Sequence, residues 1–175
     1  TNIRGIVRMN ASTSNAMSVT IDDCIIKGLG RAATSNHYGL LLSDKVTLTT
    51  LNLAVSNTSV IVAKGASASQ FIRHKSGQTG TITIKDCTFY DMSASDAFCR
   101  DTKDMTMTIS NTLFAKGGVK PFYNPSSVAT TLNVNGLYKA SDFAFGATDW
   151  GKDYTSLPLT SDQLLYKDTD NRHHH

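Results

Sequence analysis

The chain has 175 residues, with 17 Lys and Arg against 14 Asp and Glu and a formal net charge of +3. That balance, without a basic cluster, argues against nucleic acid as a primary partner. No run of about 18 apolar residues occurs, so no membrane-spanning helix is expected, and the length suits one domain with a sizeable core.

The chain opens on TNIRG, with neither a Met nor a signal peptide, as a mature form or an excised piece would. Ile3 to Met9 is short and apolar and predicts a first strand. Five segments then share one pattern: VTIDDCII from Val19, VTLTTLNL from Val46, ITIKDCTF from Ile82, MTISNTLF from Met107 and LNVNGLYK from Leu132. Such a repeat points to a repeat architecture. Aligned on Ile21, Leu48, Ile84, Ile109 and Val134, each unit has an apolar residue two positions earlier, which is strand periodicity.

The next column stands three positions later, at Cys24, Leu51, Cys87, Thr112 and Leu137, so the alternation skips a residue. A sharp bend between two strands produces such a skip. The residue before that column is Asp23, Thr50, Asp86, Asn111 or Gly136. Asp, Asn and Gly tolerate a left-handed backbone, and Thr50 predicts a local variation. Each unit therefore reads as strand, one-residue bend, strand.

Between the units lie further apolar runs: Leu40 to Leu42, Ile61 to Ala63, Phe71 and Ile72, Ala97 to Cys99, Pro121 to Tyr123 and Phe143 to Phe145. They read as a third strand per turn. The expected fold is all-β, a right-handed single-stranded parallel β-helix of about five to six coils. An antiparallel sandwich is the rival, and a bend column at constant offset weighs against it. Residues 1–139 form the coils and 140–171 a packing tail or cap. That tail carries Trp150, Pro158 and a short helix from Ser161 to Tyr166 with capping-box spacing at Thr160 and Gln163. Residues 172–175 read as a tag remnant. The stop at KDTDN does not resemble a finished domain end, as in a piece of a longer protein.

Cys24 and Cys87 share a column with Leu51 between them. Two strand spacings separate them by about 9.6 Å, too far for a disulfide. Cys99 belongs to another strand, so three free thiols are expected, at least two of them in the core. No C-x-x-C metal spacing occurs.

The polar candidates for function lie in the third strand. Matching Ile72, Phe98 and Phe122 sets Arg73 near Cys99 and Tyr123, His74 near Arg100 and Asn124, and Lys75 near Asp101. The candidate binding set is Arg73, Lys75, Arg100, Asp101, Lys103 and Tyr123, with Asp104 beside it and Arg8 starting the same column. Arg pairs bidentately with carboxylate or sulfate, and Tyr offers a ring for stacking on a sugar. A uronate lyase would use an Arg or Lys as base and a cation against the developing charge. Ca²⁺ enters only in that case, through Asp101 and Asp104. The competing reading is an ordinary solvated surface, where opposite charges on neighbouring strands pair with modest benefit. Asp22 and Asp23 are adjacent carboxylates, but the bend already accounts for Asp23. Gly28 to Gly30 and the Gly117–Gly118 pair read as turns, since phosphate-loop spacing is missing. No G-x-S-x-G occurs.

FIRHKSGQTGTITIKDCTFYDMS (Phe71 to Ser93) and MTISNTLFAKGG (Met107 to Gly118) resemble the pectate-lyase-like right-handed β-helix superfamily. More narrowly, the chain is similar to secreted β-helix domains of unknown function from Bacteroidetes that accompany polysaccharide lyases. The tail TSDQLLYKDTDN is similar to the closing segment of such domains. The Trp-Ile-Asp-His and Arg-x-Pro-x-x-Arg patterns of pectate lyases are missing, so no catalytic residue carries over. The resemblance implies a secreted, periplasmic or cell-surface domain that binds or helps process an acidic polysaccharide. A catalytically active polysaccharide lyase and a structural spacer of a larger secreted protein are the alternatives.

Overall fold

The computed structural model describes residues 5–9, 11–12, 14–30, 39–43, 50–63, 70–74, 78–92, 97–100, 105–122, 131–145 and 154–164. For Gln70, Ala97, Arg100 and residues 120–122 it describes the backbone alone. In chain order the strands are β1 (Gly5–Arg8), β2 (Met17–Asp22), β3 (Ile25–Leu29), β4 (Gly39–Ser43), β5 (Leu51–Ser56), β6 (Ser59–Val62) and β7 (Gln70–His74). They continue as β8 (Gly80–Lys85), β9 (Thr88–Met92), β10 (Ala97–Arg100), β11 (Met105–Phe122), β12 (Thr131–Lys139), β13 (Ala144–Phe145) and β14 (Tyr154–Ser156). A short helix, α1 (Ser161–Leu164), follows.

The described structure is all-β in character, and its strand pairs are parallel. The chain visits three ladders in rotation. The first is β2-β5-β8-β11-β12, the second is β3-β6-β9-β11-β12-β14, and the third is β1-β4-β7-β10-β11. Strand β11 is long because it serves all three: it pairs β8 from Met105, β9 from Leu113 and β10 from Lys120. Parallel neighbours need a long return path, which the other two ladders supply here.

The bends between the first and second ladders explain the repeat. Asp23, Asn57, Asp86, Asn111 and Gly136 all have positive φ, between 45° and 89°. The second unit therefore differs from the expected Val46 to Leu53. Val19 pairs with Leu53 and Ile21 with Val55, so the bend of that round is Asn57 and not Thr50. Apolar alternation runs on through Leu51, Leu53 and Val55, and a period of two cannot fix its own register. The bend residue fixes it.

One step past the first four bends stand Cys24, Thr58, Cys87 and Thr112, and the buried Leu137 follows the fifth. Each of the first four gives its Sγ–H or Oγ–H to the carbonyl two residues back, at 3.2, 2.8, 3.2 and 2.9 Å in that order. The shared need is a small side chain with one donor, which both Cys and Thr provide. Cys24 and Cys87 stand two rounds apart, with Thr58 between them rather than Leu51. The three cysteines are free: Cys24 is exposed, Cys87 and Cys99 are buried.

The first ladder sends Leu53, Val55, Ile82, Ile84, Met107 and Ile109 inward, all buried. Phenylalanines from the other two ladders meet them. Phe71 stacks on Phe98 at 4.7 Å and Phe89 on Phe114 at 4.9 Å, while Phe71–Phe89 and Phe89–Phe98 cross edge to face. Each such pair adds about 0.5–1.5 kcal/mol beyond its buried area. Phe143, Phe145 and Tyr154 extend the cluster toward the C-terminal end.

Two expected third-ladder strands belong elsewhere. Ile61 lies on β6, in the second ladder, and Phe145 pairs with Val119 of β11 outside the third ladder. In the tail, β14 extends the second ladder beside the end of β12, past the Gly136 bend. Thr160 N donates to Gln163 Oε1 at 2.8 Å, one arm of the expected capping box. Ser161 ties the tail down: its Oγ donates to Asp142 Oδ1 at 2.6 Å and accepts from Lys116 N at 2.7 Å. Burial alone would raise the Asp142 carboxyl's pKa, but its two bonds from Ser161 outweigh that and hold it below the usual value.

Candidate functional site

In the third ladder one register column contains Arg8, Leu42, Arg73 and Arg100. Arg8 pairs with Leu42, Leu42 with Arg73, and Arg73 with Arg100. Arg8 does start the column. The register is one residue off the expected match, because Ile72 lies beside Cys99 and not Phe98. Arg73 is thus the neighbour of Arg100, and His74 is not. The physical reason is the core: Phe71 and Phe98 stack ring on ring, which fixes them as neighbours. Lys75, Asp101, Lys103, Asp104 and Tyr123 lie outside the described residues. Arg73 is half-buried, with Nε and Nη1 out of contact with solvent.

His74 lies opposite Ser43 and both are fully buried. Ser43 Oγ and His74 Nδ1 are 2.8 Å apart, with the donor set by the tautomer. Burial lowers the imidazole to about 4, so it is neutral at pH 7. A buried Ser–His pair without solvent access is a core element. It does not form a nucleophile and base open to substrate.

A second site lies on the bends themselves. An open groove of about 350 Å³ crosses four rounds, lined by Asn57 to Ser59, Asp86 to Thr88, Asn111 to Leu113, and Tyr138. Its floor is ordered by side-chain bonds between rounds. Asn111 Nδ2 donates to Asp86 Oδ1 at 2.7 Å. One round nearer the N-terminus, Ser56 Oγ and Asn57 Nδ2 donate to Asp22 Oδ1 at 2.6 and 3.0 Å. The Ser56 hydroxyl first, and the Asn57 amide second, hold the Asp22 carboxyl below its usual range.

Acid and amide alternate along the bend column: Asp23, Asn57, Asp86, Asn111. An amide therefore separates carboxylates that would otherwise repel across neighbouring strands. The groove offers hydroxyls, amides and one carboxylate at steps of about 4.8 Å, beside the half-buried ring of Tyr138. Such a lining suits a ligand rich in hydroxyl groups. Among the described residues no three His, Cys, Asp or Glu side chains gather as metal ligands, and no helix is long and apolar enough to cross a membrane.

Sequence reasoning assigned Asp23, Asp86 and Asn111 to the bends alone. The signal for a groove was there: the one αL column combines polar heads with a Gly136-x-Tyr138 ending. Comparison of the chain with family models, with curated proteins and with solved structures finds no match.

Proposed function

We propose that this chain is a right-handed parallel β-helix module of a secreted or cell-surface protein, and that it binds a carbohydrate chain in the groove across its bends. The right hand follows the general preference of parallel crossover connections. The observation that carries the function is the groove, whose volume falls in the range of small-ligand sites. Sugar hydroxyls would exchange bonds with Asn57, Ser59, Asp86 and Asn111, and a ring face would lie on Tyr138. Its lining holds Asp86 and no Lys or Arg, so an uncharged glycan fits it better than a polyuronate.

An acidic polysaccharide is the second reading, and it belongs to the third ladder. The in-register neighbours Arg73 and Arg100 favour it. Arg forks recognise carboxylates in pairs. A lyase would act on that side, with elimination seen as ultraviolet absorbance of the unsaturated product.

Affinity electrophoresis through gels of neutral and of uronate polysaccharides tests both readings. The groove predicts retardation in a neutral gel that Tyr138→Ala abolishes. Retardation in uronate gels, lost in Arg73→Ala with Arg100→Ala, moves the site to the third ladder. Free migration of the native protein in every gel overturns carbohydrate binding.

A further inference from the structure

The outward face of the first ladder differs in kind from the groove. Its registers run across five strands without a shift. One column is Ser18, Asn52, Thr81, Thr106, Thr131, and the next is Thr20, Ala54, Thr83, Thr108, Asn133. These alternate with the inward Val19, Leu53, Ile82, Met107 and their partners, so they point away from the core. Ten positions hold six Thr, one Ser, two Asn and one Ala, with no charge. Charge returns in the third column, with Asp22 and Lys85.

The grid is rigid. Backbone pairing sets about 4.8 Å between strands and about 6.6 Å between the two columns. Threonine has a stiff χ1, so its hydroxyl and methyl keep fixed places at small entropic cost. Asn52 Oδ1 accepts from both the N–H and the Oγ–H of Thr81, at 3.2 and 2.8 Å, which fixes that amide too.

Within these two columns a charged partner finds no counter-charge, and a sugar chain finds no aromatic plane. An uncharged, periodic partner is complementary to an uncharged, periodic array. Water in its crystalline form has that chemistry. Threonine hydroxyls can take the places of lattice oxygens, and the methyls between them order the first water shell. The strand repeat is close to the oxygen repeat of hexagonal ice. We infer that the Thr81–Thr83 and Thr106–Thr108 grid is an ice-binding face. Each contact is weak, but the face meets the lattice with many at once and without rearrangement.

The inference is independent of the groove, and its test keeps the two apart. The full chain is partitioned into a slowly growing ice hemisphere and scored for thermal hysteresis. The native protein should enter the ice and shape the crystals. Thr83→Lys with Thr108→Lys should be excluded from the ice, with its thermal melt showing a folded protein. Tyr138→Ala should enter as the native protein does. If the double variant fails to fold, Thr83→Lys alone takes its place. Exclusion of the native protein from ice, or equal entry by the folded Lys variant, overturns the inference.

Discussion

Acidification should loosen this protein through one buried imidazole before the carboxylates matter. His74 is held neutral by burial, at about 4 against an ordinary 6.5. The unfolded chain therefore binds the extra proton anywhere between these values, and the folded chain does not. Stability is fully present above about pH 6.5 and falls as pH drops toward about 4. The whole shift corresponds to about 3 kcal/mol, of which about 2 kcal/mol is lost between pH 7 and pH 5. The lowered carboxyls, Asp22 and Asp142, titrate below their ordinary range and so stay out of that window. Urea unfolding followed by circular dichroism at pH 7, 6 and 5 measures the loss. With a slope of about 2 kcal/mol per molar, the midpoint should move by about 1 M. His74→Asn keeps a polar partner for Ser43 but does not titrate, so its midpoint should stay level. Parallel curves for the two proteins would refute the argument.

Three further outcomes follow from the backbone and the thiols. Gly80→Ala should abolish folding, a loss of more than about 3 kcal/mol, because at φ 134° its Cβ would overlap the Leu51 carbonyl oxygen and stand 2.7 Å from the carbon; expression and thermal melting would show it, and a native-like melt would contradict the packing. A thiol reagent should titrate Cys24 alone in the native protein and all three cysteines in urea. Cys87→Thr should leave the urea midpoint within about 1 kcal/mol of native, since the Thr hydroxyl repeats the bond to the Lys85 carbonyl.

The fold was legible where sequence and backbone demand coincide. Left-handed residues must be Asp, Asn or Gly almost regardless of neighbours, so four of the five bends stood out from residue type alone. The second bend was missed because Leu51, Leu53 and Val55 carry the apolar alternation on past Thr50, and only pairing with β2 selects Asn57. The third-ladder match slipped by one for a similar reason. Phe71 and Ile72 face Phe98 and Cys99, four core residues in a row, and the stacking of the rings chooses between the two alignments. The grid on the first ladder was hidden in plain view. Reading strands for their inward half discards the outward half, where Thr-x-Thr recurs.

Gly136 separates what the fold requires from what a ligand would require. Every bend needs a residue that tolerates positive φ, and Asp or Asn at that point leaves a polar head outside. A polar strip on the bends is therefore expected of this fold with or without a ligand. Gly136 breaks the alternation that Asp23, Asn57, Asp86 and Asn111 keep. A Cβ there would stand 3.1 Å from Asn111 N and 3.4 Å from Tyr138 Cε2. An Asn there would be strained at φ 89°, against 45° to 56° at the other four bends, and would also crowd the Tyr138 ring at the end of the groove. The glycine meets the wider φ of this bend and adds backbone freedom at a cost of order 0.5–1 kcal/mol. What it provides is room for an aromatic face beside a row of amides and hydroxyls. A departure from a repeat that weakens the fold and opens a site is where function is expected to lie.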